Sequence, residues 1–118
     1  YYLTMENSES SILKVYASTT DRVGSKLLYE YIVELARDKG ISGVTVYRGV
    51  MGFGLSSQIT SAKFWELTEK LPVMIEIIDR TEVLNDFFQL LEPELLNMKK
   101  GCLVVLEPVK ILLHKSGK

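Results

Sequence analysis

The sequence predicts an α+β domain in which two strand–helix–strand halves share one antiparallel sheet. Two short segments rich in β-forming residues, 44–47 and 73–78, are separated by the long segment 48–72. Helical periodicity appears once before this pair of strands and once after it. A loop of this length in a compact domain is usually functional or disordered, and its apolar residues argue against plain disorder.

Length and composition predict one globular domain. The chain has 118 residues, of which 47% are hydrophobic and 25% charged, as in ordinary globular proteins. We expect this domain to span residues 12–114, between a flexible lead-in (1–11) and a flexible tail (115–118). The net charge of −1 gives the protein no overall positive potential that would attract nucleic acid, so we expect no nucleic-acid partner.

The apolar runs and the cysteine content indicate the compartment. Every apolar run ends well short of the ~20 residues of a membrane-spanning helix, so at most peripheral association with a membrane protein is expected. The single cysteine permits no internal disulfide, and the first residues lack the pattern of a signal peptide. The protein is therefore predicted to be cytoplasmic.

The first half of the domain comprises a strand, a helix and a second strand. Residues 12–17 are predicted as the first strand, and residues 18–21 supply turn and cap chemistry for the helix that follows. Lys39 and Gly40 end this helix with a cation and a residue suited to a left-handed cap, and Gly43 opens the second strand. The apolar face of the helix recurs at steps of three and four residues: Leu27, Leu28, Tyr31, Ile32, Leu35 and Ala36.

The second half begins with a buried strand at 73–78. Asp79 and Glu82 resemble a capping arrangement for a second helix, which we expect to end near Asn97. Pro93 removes a backbone donor, so the helix is expected to kink or restart there. The apolar face of this helix consists of Val83, Leu84, Phe87, Phe88 and Leu91.

The last part of the chain completes the predicted sheet. Residues 102–106 form a buried strand, a break is expected at 107–108, and an extended run resumes at 109–114. Two such halves with right-handed crossovers give the ferredoxin-like βαββαβ sandwich, a four-stranded antiparallel sheet with two helices on one face. The predicted strands are apolar on both faces of the sheet, including the face that no helix covers. This uncovered apolar face predicts a homo-oligomer whose sheets pack on each other.

One pair of segments carries a resemblance to a known family. Gly43-Val-Thr-Val-Tyr-Arg-Gly-Val-Met-Gly-Phe-Gly54, followed by Leu71-Pro-Val-Met-Ile-Glu-Ile-Ile-Asp79, strongly resembles the PII-like proteins of domain of unknown function 190. It is more distantly similar to the nitrogen-regulatory PII signalling proteins. The resemblance covers residues 12–113 and implies a homotrimer with ligand clefts between subunits, an adenine nucleotide as favoured ligand, and a loop, 55–72, that regulates a partner protein.

The PII motifs are matched in part. Gly52-Phe53-Gly54 resembles the base of the PII arm, where the backbone comes close to the nucleotide. The next residues, 55–58, replace the basic, glutamine-containing segment that serves magnesium and 2-oxoglutarate in PII proteins. Lys99-Lys100-Gly101 stands where PII proteins have a glycine-rich turn with a phosphate-binding lysine, and Lys110 is among the nearest cations to the position of their paired arginines.

The candidate ligand site combines cations with glycines. The guanidinium of Arg48 suits a phosphate or a carboxylate, and the alternative is a structural ion pair. Lys99 and Lys100 suit phosphates, and the alternative is solvated charge at a helix end. In the loop, Phe64 and Trp65 are candidate partner contacts, or pack on a neighbouring subunit. The candidate ligand set is Arg48, Gly49, Gly52, Phe53, Gly54, Lys99, Lys100, Gly101 and Lys110.

Catalysis, metal binding and cofactor binding find little support in the sequence. The single histidine, His114, lies near the chain end, and Cys102 opens a predicted buried strand, so no nucleophile has an oriented base. Carboxylates are the only plentiful metal ligands. We therefore expect a regulatory protein that is not an enzyme and has no cofactor. A structural or accessory homotrimer without a small-molecule ligand is the alternative.

Overall fold

The computed structural model describes residues 9–54, 60–61 and 70–117. The predicted lead-in and tail lie partly outside these residues, and the candidate partner residues Phe64 and Trp65 lie wholly outside them. The elements in chain order are β1 (Ser10–Ser18), β2 (Arg22–Val23), β3 (Lys26–Leu27), α1 (Leu28–Asp38), β4 (Gly43–Arg48), β5 (Met51–Gly52), β6 (Thr60–Ser61), β7 (Pro72–Arg80), α2 (Thr81–Asn97) and β8 (Leu103–Val109).

The main sheet has four strands in the order β4-β7-β1-β8, and all its pairings are antiparallel. The two nine-residue strands, β1 and β7, occupy the centre, and the shorter β4 and β8 form the edges. Both helices pack on one face of this sheet, which confirms the predicted ferredoxin-like fold. In the part of the chain that the structure describes, no helix is both long and apolar enough to cross a membrane.

The core lies between the helices and the inner face of the two central strands. Alternate residues of β1 and β7 point into it, as the period of a strand requires. The helical residues that meet them recur at three- and four-residue spacing, as predicted. The buried apolar residues of this cluster are Leu13, Val15, Leu28, Ile32, Ala36, Val73, Ile75, Ile77, Leu84, Phe87, Leu91 and Leu95.

The prediction that residues 18–21 cap the first helix is wrong. A small hairpin, β2–β3, intervenes, and α1 begins only at Leu28, with no side-chain cap. Asp21 shapes the turn instead, because its Oδ2 accepts a hydrogen bond from the Ser18 N–H at 2.9 Å. The Asp21 carbonyl accepts the N–H of Leu28 at 2.7 Å, so the turn holds the first helical residue through its backbone.

The predicted cap at Asp79 is also wrong. Helix α2 has no side-chain cap. The Asp79 carboxylate accepts the N–H of Ser42 at 2.9 Å and the N–H of Arg80 at 2.7 Å. This nearly buried carboxylate therefore fastens the residue before β4 to the end of β7.

Two prolines interrupt the structure less than predicted. Helix α2 runs through Pro93 without restarting and ends at Asn97, as expected. Pro93 and Gln89 are both exposed, so water can reach the carbonyl that a proline nitrogen leaves without a donor. The expected break at Pro108 is wrong as well, because β8 continues to Val109 with Pro108 opposite Ser11. An edge strand tolerates proline because one side of it has no neighbouring strand.

The sheet face opposite the helices, here called the outer face, is largely apolar. One cross-strand row consists of Tyr47, Met74, Tyr16 and Leu103, of which Tyr47 is 48%, Tyr16 40% and Leu103 58% exposed. The neighbouring row contains Lys14, whose Nζ lies 2.6 Å from the Glu107 Oε1. This hydrogen bond raises the pKa of Lys14 above its ordinary value. The outer face thus has the apolar surface that the sequence predicts for self-association.

Candidate functional site

One end of the sheet gathers three connecting segments. At this end Arg48 is opposite Val73, and Ser18 is opposite Pro72. Strand β8 starts at the same end, where Leu103 is opposite Tyr16. The arm root, defined as residues 48–54 and 71–72, therefore lies at the same end as the 18–27 turn and the residues before β8.

Close backbone contact with Pro72 shapes the arm root. The N–H of Gly49 donates to the Pro72 carbonyl at 2.7 Å. A Cβ on Gly49 would lie 2.8 Å from the Pro72 Cγ, and one on Gly52 would lie 3.4 Å from the same atom. Neither residue is among the described glycines with positive φ, which are Gly24 and Gly40. Gly49 is thus required for close approach rather than for a left-handed conformation, whereas a Cβ on Gly52 would make an ordinary van der Waals contact.

We expect Gly49→Ala to destabilise the protein by about 1–3 kcal/mol, because Pro72 has to move away from the new methyl group. Gly54→Ala is the matched control, since a Cβ there meets no atom of the described residues within 4 Å. The control should change the free energy of unfolding by less than about 0.5 kcal/mol. Urea unfolding of both variants measures the difference, and equal values would contradict the close contact at Gly49.

The other side of the arm root is held by Thr19. The Thr19 N–H donates to the Leu71 carbonyl at 2.9 Å, and the Leu71 N–H donates to the Thr19 Oγ1 at 3.0 Å. Leu71 is 5% exposed and Thr19 is 9% exposed, so these bonds are shielded from water. Leu71 and Pro72 are consequently fixed between Thr19 on one side and Gly49 on the other.

The candidate ligand residues are accessible. Arg48, Lys99 and Lys100 are exposed, and none of them forms an ion pair with another described residue. Phe53 is 70% exposed, so its ring is available for stacking. Exposed cations suit an anionic ligand, and an exposed aromatic ring suits a ligand with a planar part.

Within the chain these candidate residues lie in two separate groups, here called half-sites. The first half-site is the arm root with Arg48 on edge strand β4, and the second is 99–101, just before edge strand β8. Three strand spacings, about 14 Å, separate the two edges. Lys110 follows β8 at the opposite end of the sheet, where Val109 is opposite Ser10.

The second half-site includes a groove that the sequence analysis did not identify. It has a volume of about 240 Å³ and lies between the β2–β3 hairpin and the end of α2. Arg22 adds a second cation beside Lys99, and its Nη1 donates to the Ser25 carbonyl at 2.9 Å. The sequence signal for this hairpin is Gly24, which adopts φ +61° in the turn. The lining residues are Arg22, Val23, Gly24, Glu94, Asn97, Met98 and Lys99.

The described part of the site offers binding chemistry, and its thiol is a weak nucleophile. Cys102 is half-buried, and burial, followed by the charge of Asp21, raises the pKa of its thiol, which disfavours the reactive thiolate. Residues 9–54, 60–61 and 70–117 contain no group of three or more side chains arranged to hold a metal ion.

Sequence comparison connects the chain with proteins of one uncharacterised family. The model of family DUF190, described as "Uncharacterized ACR", matches residues 10–111. A UPF0166 protein of Aquifex aeolicus is 31% identical over 104 residues, which are 88% of this chain and 94% of that protein. A UPF0166 protein of Methanocaldococcus jannaschii is 35% identical over 77 residues, 65% of this chain and 70% of that protein.

Two solved structures share the fold at low sequence identity. CPII of Thiomonas intermedia, a nitrogen regulatory PII-like protein bound to ADP, AMP and bicarbonate, is 14% identical with a TM-score of 0.60. The match covers 87% of this chain and 90% of CPII. A candidate PII-like signalling protein of Thermus thermophilus is 17% identical with a TM-score of 0.61, over 86% of this chain and 88% of that protein.

Proposed function

The chain belongs to the DUF190 family, and from this membership we propose that it is a PII-like regulatory protein which binds a small anionic ligand between the subunits of a homotrimer. The observation that carries the proposal is the division of the exposed cations into two half-sites, at opposite edges but at one end of the sheet. Within one subunit the two half-sites lie at opposite edges of the sheet, so neither of them completes the other.

A closed ring of subunits supplies the complement. In a cyclic homo-oligomer each subunit meets its two neighbours through two different surfaces. The β8 edge of one subunit then approaches the β4 edge of the next, which brings Lys99 and Lys100 toward the Arg48 of a neighbour. A ligand in this cleft would meet cations from two chains, together with the exposed residue Gly54.

The outer face supports the same assembly. Its apolar row, Tyr47, Met74, Tyr16 and Leu103, is partly exposed in one subunit and is covered when sheets pack against one another. The Lys14–Glu107 pair in the neighbouring rows satisfies two charges within the subunit, so neither charge requires a partner from another chain.

An adenine nucleotide is the favoured ligand. The structurally similar CPII was solved with ADP and AMP, which makes these nucleotides the first probes for this chain. Regulation requires that the ligand favour one conformation of the loop over another. In this proposal residues 55–72, with Phe64 and Trp65, present a surface to a protein partner, and the protein performs no catalysis.

Arg48→Ala tests the site directly. Charge-assisted hydrogen bonds contribute about 1.5–3 kcal/mol, so we expect ADP to bind the variant about 10- to 100-fold more weakly in isothermal titration. The oligomeric mass should not change. Arg37→Ala is the matched control, since Arg37 is an exposed arginine on α1 away from the arm root. Undiminished ADP binding by Arg48→Ala would remove Arg48 from the site, and absence of binding by every form would favour the structural homotrimer.

A further inference from the structure

A chain of short contacts connects the two half-sites within one subunit. It starts at Gly49, whose N–H donates to the Pro72 carbonyl at 2.7 Å. Leu71, the residue before Pro72, exchanges two hydrogen bonds with Thr19, at 2.9 and 3.0 Å. Thr19 lies two residues before Asp21, whose carboxylate accepts the Ser18 N–H and whose carbonyl accepts the Leu28 N–H. The next residue, Arg22, lines the groove beside Lys99.

The middle of this chain of contacts is buried. Leu71 is 5%, Asp21 is 6% and Thr19 is 9% exposed. Buried hydrogen bonds are costly to leave unmade, so these residues move together rather than separately. The turn is therefore hydrogen-bonded to the arm root at Leu71 and continues directly into the hairpin that lines the groove.

We propose that Thr19 is a positioning residue that couples the arm root to the groove formed by Arg22 and Lys99. The inference rests on the proposed function for its biological meaning, since these are the two half-sites of the ligand. Displacement of Pro72 moves Leu71. Thr19 moves with Leu71, because the N–H and the carbonyl of Leu71 are both hydrogen-bonded to it. The turn that contains Thr19 then shifts the β2–β3 hairpin, which forms one wall of the groove. Ligand bound at the arm root thereby alters the groove of the same subunit.

Amide hydrogen exchange of the ligand-free protein tests the coupling. Gly49→Ala disturbs Pro72 directly, and we expect it to raise exchange in the hairpin, residues 22–27, by about five- to tenfold. Thr19→Val removes the acceptor for the Leu71 N–H while keeping the side-chain shape. In the Thr19→Val background the Gly49→Ala substitution should add less than about twofold at the hairpin, because coupled sites are not additive.

Two controls separate coupling from general loosening. Thr19→Ser retains a hydroxyl and should restore the response of the hairpin to Gly49→Ala. Thr20→Val changes the exposed neighbour, whose hydroxyl contacts Ser18, and should leave the response unchanged. If Gly49→Ala raises exchange only around residues 48–52 and 70–73, or raises hairpin exchange equally in both backgrounds, Thr19 does not couple the two regions.

The same experiment with ADP keeps the two proposals apart. ADP should protect residues 48–54 in the wild-type protein and in Thr19→Val. Because the hairpin also lines the groove of the second half-site, bound ADP affects hairpin exchange directly in every variant, so the coupling is judged from the ligand-free comparison alone. If ADP protects no region while the substitutions still show the coupling, the nucleotide site fails and the coupling stands. If ADP protects the arm root and the substitutions show no coupling, the nucleotide site stands and the coupling through Thr19 fails.

Discussion

Leu103→Asp is expected to leave the protein folded and to reduce its mass in solution from about three times 13.4 kDa to a single 13.4 kDa chain. Leu103 lies on the outer face of edge strand β8, next to Tyr16, and is 58% exposed in the isolated subunit. Water can therefore solvate the new carboxylate in the monomer. In an assembly with packed sheets the same carboxylate would be buried without a partner, which costs several kcal/mol.

Leu96→Asp is the matched control for this experiment. Leu96 is 77% exposed but lies on α2, on the opposite side of the sheet from the outer face. Light scattering coupled to size exclusion gives the masses of both variants. An unchanged mass for Leu103→Asp, with the wild type trimeric, would show that the outer face is not the interface.

Leu84→Ala is expected to lower the free energy of unfolding by about 2–5 kcal/mol. The Leu84 side chain is fully buried between α2 and the central strands. Alanine keeps the helical propensity of α2, so the loss reports the buried atoms that are removed and the cavity that they leave. Against a typical domain stability of about 5–15 kcal/mol, such a loss is large.

Leu96→Ala provides the comparison, because it removes the same atoms from the same helix at a position that is 77% exposed. Its effect should stay within about 0.5 kcal/mol. Urea unfolding has to be measured at one protein concentration for all variants, since the proposed assembly would contribute to stability by mass action. Equal losses for the two variants would contradict the packing of α2 on the sheet.

The architecture was predictable because its signals are local and repeated. The helical faces that include Ile32 and Leu84 recur at three- and four-residue spacing, and the central strands alternate or run apolar. Once two strand–helix–strand halves are recognised, the handedness of the crossovers leaves few arrangements of the sheet. The observed strand order is the one that follows from this rule.

Features that depend on distant partners were not predictable. Asp79 fits the local pattern of a cap, yet its carboxylate accepts the N–H of Ser42, 37 residues away. Pro108 resembles a strand breaker unless the strand is known to lie at an edge. The hairpin at 22–27 consists of only two-residue strands, too short for an alternating pattern to be visible.

At the candidate site, too, local motifs were predictable from the sequence and contacts between distant residues were not. Arg48 and the glycines of the arm root were candidates from a contiguous motif, and the close approach to Pro72 supplies a physical reason for one of them, Gly49. Arg22 was missed because nothing in its local sequence indicates a ligand. Only the fold brings it to the same groove as Lys99, which follows the end of α2 and lies 77 residues later in the chain.

Isothermal titration of the purified oligomer with ATP, ADP, AMP and cyclic nucleotides, with the mass measured on the same sample, tests the proposed function most directly. We expect a homotrimer that binds at least one adenine nucleotide saturably, with close to one ligand per subunit, because each cleft combines one half-site from each of two chains. A folded trimer that binds none of these nucleotides would contradict the nucleotide sensor and leave the structural homotrimer as the better description.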